Sequence, residues 1–452
     1  MEKTFPAAEP ISEADLSPEY SEDALALEFT QRHKPELRYV ASWGDWLRWE
    51  GTRWKIDETL EAFDLARAVA REFANACEEG GQRARIASAA RVSAIERLAR
   101  SDRRHAATTD IWDRDPWLLN TPDGMVDLHT GELLQHDPAQ YITKITTVSP
   151  RGDCPLWRRI LAEITGKDEG LQKFLQEMAG YGLTGSTREH ALFFLYGTGG
   201  NGKSVFLNTL TAILGDYTRV APMETFTSTQ SERHPTDVAM LRGARLVTAQ
   251  ETENGRRWAE SRIKALSGGD PVSARFMRRN FFTYTPTFKL VIAGNHKPEL
   301  SGVNEAIRRR IYVVPFTVTI TNPDQQLTEK LRAEWPGILA WMIEGCRMWL
   351  TNGLNPPEAV KAATAAYLAE EDKIAQWIEE ACLTGPAHWG GGAVLWESYT
   401  EWCQANKERS VSRKAFAEAL AAHGHPNGKR QGERGYAGIA LKPKSVPARS
   451  SS

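Results

Sequence analysis

The amino-acid sequence predicts an α/β fold for the central part of the chain, and three observations lead to this fold class. A short apolar run leads into a glycine-rich loop, which is followed at once by a helical pattern. Between residues 187 and 320, apolar strand patterns alternate with helical ones, which is typical of a sheet with helices packed against it. An α+β pattern precedes this region, and two amphipathic helices with a strand pair follow it, which is typical of a winged-helix fold.

We predict five segments along the chain. The start of the chain is acidic and contains proline, so we expect a disordered segment there and no secretory signal. The segments are a disordered lead (1–35), an N-terminal α+β domain (36–150), a nucleotide-binding domain (151–385), a winged-helix-like domain (390–445) and a disordered tail (446–452).

The N-terminal α+β domain begins with four tryptophans in the sequence YVASWGDWLRWEGTRWKID. Two aromatic runs flank Gly51, which predicts a β-hairpin. Stacking on nucleic-acid bases is one possible role for such residues. We favour the alternative, in which the tryptophans form the core of a small domain.

The composition of the 452-residue chain is that of an ordinary globular protein of two to four domains. No apolar run approaches the roughly 20 residues needed to cross a bilayer, so we expect no membrane association. The five cysteines form no CxxC pair, which argues against a zinc site and a disulfide framework and for a reducing, cytoplasmic compartment. The net charge is only −2, so any nucleic-acid surface must be local.

Residues 197–204 match the phosphate-binding pattern GxxxxGK[ST] in its proper strand–loop–helix context. Glycines let the backbone curl so that its N–H groups point at an anion. Lys203 would reach the β- and γ-phosphates of a nucleotide, and the Ser204 hydroxyl would ligate Mg²⁺. The predicted nucleotide-binding residues are Gly197, Thr198, Gly199, Gly200, Asn201, Gly202, Lys203, Ser204 and Val205.

Two later apolar strand patterns end in polar residues that suit nucleotide hydrolysis. The first ends at Glu251, with Glu253 two positions further on, and such acids can hold Mg²⁺ and polarise the attacking water. The second ends at Asn295, whose amide could orient that water. An asparagine after a strand is often only a turn former, but its place in this series of strands favours the functional role.

Two basic segments lie close to these strands. The three arginines 308–310 precede an apolar strand, where a guanidinium could stabilise charge on a transferring γ-phosphoryl group, often from a neighbouring subunit. Alternatively, they form a surface basic cluster. Between the two polar strand ends, cationic and aromatic residues alternate, which suits a loop that grips single-stranded nucleic acid. A solvated hairpin with its aromatics in the core is an equal alternative. The candidate DNA-binding residues here are Lys264, Arg275, Arg278, Arg279, Asn280 and Phe281.

Together these segments resemble superfamily 3 helicases, and specifically the phage and plasmid primase–helicase family that includes satellite-phage and poxvirus replication proteins. The resemblance covers residues 36–320. It rests on WGDWLRWEGTRW, DPWLLNTPDGMVDLHTGELL, LQEMAGYGLTG, YGTGGNGKS, LRGARLVTAQETENG, IKALSGGDPVSAR, LVIAGNHKP and AIRRRIYVVPF, which occur in the family's order. In many relatives a primase domain precedes this block, whereas in this sequence only the predicted disordered lead 1–35 does. We therefore expect this chain to unwind DNA but not to prime.

The resemblance implies an AAA+-like ATPase core that uses ATP and Mg²⁺, with Ser204 and Glu251 as metal ligands. It also implies a homo-hexameric ring on single-stranded and forked DNA, in the cytoplasm of a bacterial host. A separate primase or origin DNA would be a further partner. The implied catalytic residues are Lys203, Glu251, Glu253, Asn295, Arg309 and Arg310. The family has an aromatic residue where this chain has Arg308, so the choice of arginine finger stays open among the three arginines.

The predicted winged-helix-like domain is basic. Lys429 and Arg430 lie in a glycine-rich loop that would form the wing, together with Arg434. A basic helix and wing suggest contact with duplex DNA, and in the resembling family a comparable tail recognises an origin or docks partners. A solubilising basic face is an equal alternative.

Overall fold

The computed structural model describes residues 19–228, 236–251, 255–277, 280–300 and 302–443. The described chain divides into two units. The first comprises the residues up to Val126 together with Leu133–Ile145. The second comprises Asp127–Glu132 together with the residues from Thr146 onwards.

The first unit mixes helices with short strands. Its elements in chain order are α1 (Glu22–His33), β1 (Leu37–Val40), β2 (Asp45–Trp49), β3 (Trp54–Ile56), α2 (Glu61–Ala76), α3 (Gly80–Ile86), α4 (Ala89–Ala99), β4 (Leu118–Thr121), β5 (Gly124–Asp127) and β6 (Leu133–Leu134). Strands β1–β3 form one sheet in that order, and β4–β6 form another. Helices α1, α2 and α4 pack against one another.

Helix α1 corrects our prediction of disorder for residues 1–35. The Ser21 hydroxyl caps the helix by accepting a hydrogen bond from the Ala24 N–H at 3.1 Å. Leu25 and Phe29, one helical turn apart, are fully buried among residues of α2 and α4. The acidic composition of the segment hid this short amphipathic pattern. Residues 1–18 and the predicted tail at 446–452 lie outside the described residues.

The tryptophans of the first unit form a hairpin and its core, as predicted. Strands β2 and β3 are antiparallel, with Trp49 opposite Trp54. Trp46 and Trp54 are buried, and the Trp54 ring stacks against Tyr141 with ring centroids 6.0 Å apart. Rings packed in this way are not available to stack on nucleic-acid bases.

The second unit contains the remaining elements. They are α5 (Pro155–Ile164), α6 (Glu169–Gly182), β7 (Leu192–Tyr196), α7 (Lys203–Leu214), β8 (Thr218–Val220), α8 (Thr236–Ala239), β9 (Leu246–Glu251), α9 (Glu260–Gly268), β10 (Val272–Ala274), β11 (Phe282–Tyr284), β12 (Lys289–Gly294), α10 (Glu305–Arg308), β13 (Ile311–Pro315), α11 (Leu327–Asn352), α12 (Glu358–Glu371), α13 (Lys373–Ala381), β14 (Cys382–Gly391), α14 (Gly392–Ala405), α15 (Arg413–Ala422), β15 (Asn427–Arg430) and β16 (Glu433–Leu441).

A five-stranded parallel sheet organises the second unit and confirms the predicted α/β class. Its strand order is β13-β7-β12-β9-β8. Strand β12 is fully buried and β7 nearly so, which accounts for their continuous apolar sequences. Because the strands are parallel, their carboxyl ends meet at one edge, where ligands bind in open α/β sheets.

Two buried cations lie at the opposite edge of this sheet and hold the residues that follow α6. Arg245 donates a hydrogen bond to the Leu183 carbonyl at 2.7 Å. Lys289, at the start of β12, donates to the Thr184 carbonyl and lies 4.8 Å from the centre of the Tyr181 ring. Burial holds the pKa of Lys289 well below its ordinary value, with a further contribution from the charge of Arg245.

A winged-helix-like module of residues 373–443 ends the described chain. Helices α14 and α15 are followed by the antiparallel pair β15–β16, as predicted, and β14 pairs with β16. The module begins earlier than the predicted residue 390, because its core includes Ile374 and Trp377 of α13. Strand β14 pairs with β16, some fifty residues later in the chain, and no local sequence pattern indicates this pairing. In the described residues, no helix is long and apolar enough to span a membrane.

Candidate nucleotide-binding site

The loop between β7 and α7 has a conformation that its glycines make possible. A Cβ atom at Gly197 would overlap the side chain of Asn201 and the carbonyl of Phe316. Gly202 has a φ of +80°, and a Cβ atom there would overlap Ile164. The loop is therefore held tightly by neighbouring backbone and side chains, as a preformed phosphate-binding loop must be.

Lys203 begins α7 and is 6% exposed. Its Nζ donates hydrogen bonds to Gly197 O at 2.6 Å, Asn201 Oδ1 at 2.8 Å and Asn295 Oδ1 at 3.2 Å. All three acceptors are uncharged, and burial lowers the pKa of Lys203. Among the side chains that the structure describes, no carboxylate pairs with this ammonium group, so its charge is available to an anion.

Asn201 links the loop to the strand on its other side. Its Nδ2 donates to Phe316 O at 2.7 Å, while its Oδ1 accepts from Lys203. Phe316 follows β13, whose register places Pro315 beside Tyr196 of β7. We had assigned Asn201 only to nucleotide contact. Its role in orienting Lys203 depends on a residue 115 positions away, which the sequence did not indicate.

Strand β12 lies between the phosphate-loop strand β7 and the acidic strand β9. The register places Gly294 beside both Tyr196 and Glu251. Asn295 follows directly, and its Oδ1 accepts the hydrogen bond from Lys203 at the start of α7. The structure thus brings Lys203 and Asn295 together and places the backbone of Glu251 one strand away. Glu253 lies outside the described residues.

The two predicted magnesium ligands, Ser204 and Glu251, belong to elements that meet at the same edge of the sheet. Ser204 is exposed in the first turn of α7, and Glu251 ends β9 at the same edge of the sheet. Within the described ranges, no group of three or more His, Cys, Asp or Glu could hold a metal by itself.

The three consecutive arginines of the segment 305–310 have different surroundings. Arg308 pairs with Asp372, with 3.2 Å between Nη2 and Oδ2. Arg310 is 6% exposed and its Nη1 donates to Ala306 O at 2.6 Å, and burial lowers its pKa. Arg309 is exposed, and its side chain makes no hydrogen bond or ion pair within the described part of the chain. Of the three, Arg309 is therefore the one free to reach a neighbouring molecule.

Strands β10 and β11 form the predicted hairpin. Arg275 follows β10 at the loop end of the hairpin, with its guanidinium 4.6 Å from the centre of the Phe281 ring, and Phe281 is 61% exposed. Asn280 is exposed as well, whereas Arg278 and Arg279 lie outside the described residues. Lys264 lies half-buried on α9, just before this hairpin. The exposed ring of Phe281 is compatible with a loop that binds nucleic acid, whereas Tyr284 is buried in the core, as in the alternative of a solvated hairpin.

The hairpin β15–β16 is the predicted wing, and Lys429 and Arg430 are exposed on it. A cavity of about 470 Å³ lies beside this hairpin, lined in part by Lys429, Arg434 and Tyr436. Gly392, the first residue of α14, also lines the cavity. Two basic side chains, Lys429 and Arg434, thus border this cavity.

The parallel sheet, the glycine loop and the contact of Lys203 with Asn295 are the features of a P-loop fold. Residues 26–166 match the family described as D5 N terminal like, and residues 195–310 match a family of unknown function, DUF5906. These matches, together with viral relatives that are named putative helicases, show that the chain is similar to phage and viral D5-type helicases.

Curated relatives are viral proteins. The chain is 26% identical over 277 residues to "Putative helicase 022R" of Frog virus 3 (isolate Goorha), with 56% of this chain and 28% of that protein covered. It is 22% identical over 324 residues to "Putative helicase L207/L206" of Acanthamoeba polyphaga mimivirus, with 65% and 34% covered. The chain thus spans about a third of the length of the curated relatives it matches.

A solved structure of the apo NrS-1 C-terminal region has a similar fold. The two chains are 10% identical with a TM-score of 0.50, and the similarity covers 91% of this chain and 99% of that one. At this level of identity the likeness concerns the fold alone.

Proposed function

We propose that this protein is an ATP-driven DNA helicase of superfamily 3. ATP and Mg²⁺ would bind at the loop 197–204, and hydrolysis would drive movement along single-stranded DNA. Separating a base pair costs about 1.4 kcal/mol on average. Replication in the cytoplasm of a bacterial host, on a phage or plasmid genome, is the setting we propose.

The observation that carries this proposal is the 3.2 Å contact between Lys203 Nζ and Asn295 Oδ1. A lysine that holds the terminal phosphates and an amide that orients water must act on the same phosphoryl group. The Glu251 backbone lies one strand further along the same edge. The contact of Lys203 with Asn295, and the end of β9 one strand away, support a γ-phosphate site at this edge of the sheet.

The state of the three arginines supports assembly as a ring, which we propose to be a hexamer. A guanidinium supplied by a neighbouring subunit must project from the surface and have no partner in its own chain. Arg309 meets both conditions among the described residues. We therefore propose that Arg309 completes the ATP site of the next subunit, while Arg308 and Arg310 hold its segment in place.

The exposed tip of the β10–β11 hairpin is the proposed contact with single-stranded DNA. Phe281 has an exposed ring next to the guanidinium of Arg275. In other proteins, exposed aromatic rings and guanidinium groups bind single-stranded nucleic acid without sequence preference. The basic wing is the proposed contact with duplex DNA ahead of a fork or at an origin. A separate primase is a further proposed partner.

The test is ATP turnover with and without single-stranded DNA, together with strand separation on a forked duplex. Wild type is compared with Lys203→Ala, and Lys330→Ala, an exposed lysine that pairs with Asp324, is the matched control. We expect DNA-stimulated turnover and unwinding that are lost in Lys203→Ala and kept in the control. Turnover that ignores DNA, with the fork left intact, would refute the proposal.

The alternative is an ATP-controlled origin-binding or loading protein without processive unwinding. The basic wing would suit that role as well. Glu251→Gln separates the two, because a motor loses unwinding while it still binds ATP and forms rings. An assembly switch would keep its full activity. A P-loop small-molecule kinase is a weaker alternative, which DNA-independent phosphoryl transfer would favour.

A further inference from the structure

Three consecutive acidic residues connect parts of the second unit that are far apart in the sequence. Glu370 and Glu371 end α12, and Asp372 both follows α12 and caps α13. Each of the three contacts a different group. We refer to residues 370–372 as the acidic link, to residues 295–300 as the sensor loop and to residues 305–310 as the arginine segment.

The first two acids of the link hold the sensor loop. Glu370 pairs with Lys297, with 2.6 Å between Oε2 and Nζ. Glu371 accepts a hydrogen bond from the Leu300 N–H at 2.7 Å. Tyr367, one turn earlier on α12, donates to the Pro298 carbonyl. The loop that carries Asn295 is thus attached to the end of α12 at three points.

The third acid holds the arginine segment and the C-terminal module at the same time. Asp372 is 6% exposed, and its Oδ2 pairs with Arg308. Its Oδ1 lies 3.3 Å from His423 Nε2 and accepts from the Ala375 N–H at 3.0 Å. Burial raises the pKa of Asp372, but the bonds from His423 and Ala375 and the charges of His423 and Arg308 outweigh it, so the pKa is lowered.

Helix α12 packs against the sheet that carries the proposed ATP site. Thr364 accepts a hydrogen bond from the Val313 N–H of β13 at 3.0 Å, and Tyr367 is buried in the core of the sheet. These contacts hold the helix that carries the acidic link against β13. A shift of the sensor loop or the arginine segment must either break contacts with residues 370–372 or be passed on to α13 and the module.

We propose that Asp372, with Glu370 and Glu371, is a positioning element that couples the ATP site to the winged-helix module. The inference rests on the proposed function, since it assigns a route by which DNA at the wing alters the position of Arg309. Asp372 acts through Arg308, the immediate neighbour of Arg309, and touches no nucleotide itself. Loss of the pair lets the arginine segment move independently of the module.

The test uses the full chain with Asp372→Asn, which keeps a side chain that can cap α13 but loses the charge. Coupling energies between sites correspond to about 5- to 150-fold. We expect DNA stimulation of ATP turnover to fall about 5-fold or more, with the KM for ATP unchanged within about 2-fold. Arg308→Gln should have the same effect, Arg308→Lys should retain most of the stimulation, and the double variant should be no worse than either single one.

Asp324→Asn is the matched control, since Asp324 also accepts a backbone hydrogen bond and pairs with a lysine, Lys330. It should leave DNA stimulation unchanged. Additive effects of Asp372→Asn and Arg308→Gln, or a loss confined to the KM for ATP, would overturn the proposal.

A second measurement requires no activity at all. Hydrogen exchange of residues 295–310 is compared between wild type and His423→Leu, which removes the contact between the module and Asp372 Oδ1. We expect faster exchange in both the sensor loop and the arginine segment. Unchanged exchange would overturn the mechanical link even if the protein unwinds DNA, whereas faster exchange in a protein that ignores DNA would refute only the helicase function.

Discussion

Replacement of Asn295 by alanine tests the catalytic arrangement most directly. Lys203 Nζ donates to three oxygens, and only the longest of these bonds, at 3.2 Å, ends on Asn295. After the substitution the lysine keeps its bonds to Gly197 and Asn201. Because Asn295 is exposed, water can replace its oxygen. A hydrogen bond to a charged group contributes about 1.5–3 kcal/mol, and partial exposure favours the lower end.

The expected effect on ATP binding is therefore modest, because the lower end of that range, about 1.5 kcal/mol, corresponds to a rise of about tenfold in the KM for ATP. The effect on hydrolysis should be much larger, because the amide would also stabilise charge or position water in the transition state. Removal of one preorganised donor of this kind typically lowers kcat by about 10²–10³, or roughly 3–4 kcal/mol.

The assay is steady-state ATP turnover at saturating single-stranded DNA, with kcat and KM measured separately. Asn208→Ala is the matched control, since Asn208 is exposed on the same domain within α7 and makes no contact with Lys203. It should change neither constant. If Asn295→Ala raised the KM about a hundredfold and left kcat intact, Asn295 would be a binding residue and our reasoning would be wrong.

Three further predictions concern other parts of the molecule. Arg309→Ala should lower ATP turnover about 10³-fold or more, and mixing it with Lys203→Ala should restore activity, because a mixed ring contains intact sites; no recovery would contradict a finger supplied in trans. Phe281→Ala should weaken binding of single-stranded DNA by about 1–3 kcal/mol, measured by fluorescence anisotropy, whereas Val220→Ala, also exposed, should not. In the folded protein the pKa of Lys289 lies below its ordinary value of about 10.4, so between these two pH values the unfolded chain binds more protons than the folded one. The free energy of unfolding of wild type should therefore rise with pH in this range, by up to about 1.4 kcal/mol per pH unit. Lys289→Met should remove this rise, which denaturant titrations at several pH values would measure.

Local sequence patterns were sufficient to predict the α/β fold of the central part of the chain. Apolar runs at β7, β9, β12 and β13 have the length and composition of buried parallel strands, and the glycine loop has a pattern with few alternatives. Strand β8 is only three residues long, Thr218–Val220, and could not be distinguished from a loop. Helix α1 lies in an acidic, proline-containing segment whose composition predicts disorder. The signals for the helix are only the Ser21 cap and the spacing of Leu25 and Phe29.

Contacts between distant segments could not be predicted. Asn201 meets Phe316 O because β13 lies beside β7, and strand order is not a property of any local window. Likewise, the sequence presented three equivalent arginines, and only their packing distinguishes them. Arg308 is paired, Arg310 is buried and Arg309 is exposed.

Strand β12 lies between β7 and β9, so it adjoins both the strand that leads into the phosphate loop and the strand that ends at Glu251. Asn295 leaves β12 between the strand that ends in the phosphate loop and the strand that ends at Glu251. In the proposed function, loss of the γ-phosphate would therefore first alter the position of the sensor loop. This loop is attached to α12 through the ion pair of Lys297 with Glu370. Since α12 ends at Asp372, the signal needs only one further ion pair to reach Arg308. The shortness of this route, with a buried carboxylate at its end, makes substitution of Asp372 the decisive test of whether the module and the ATP site act together.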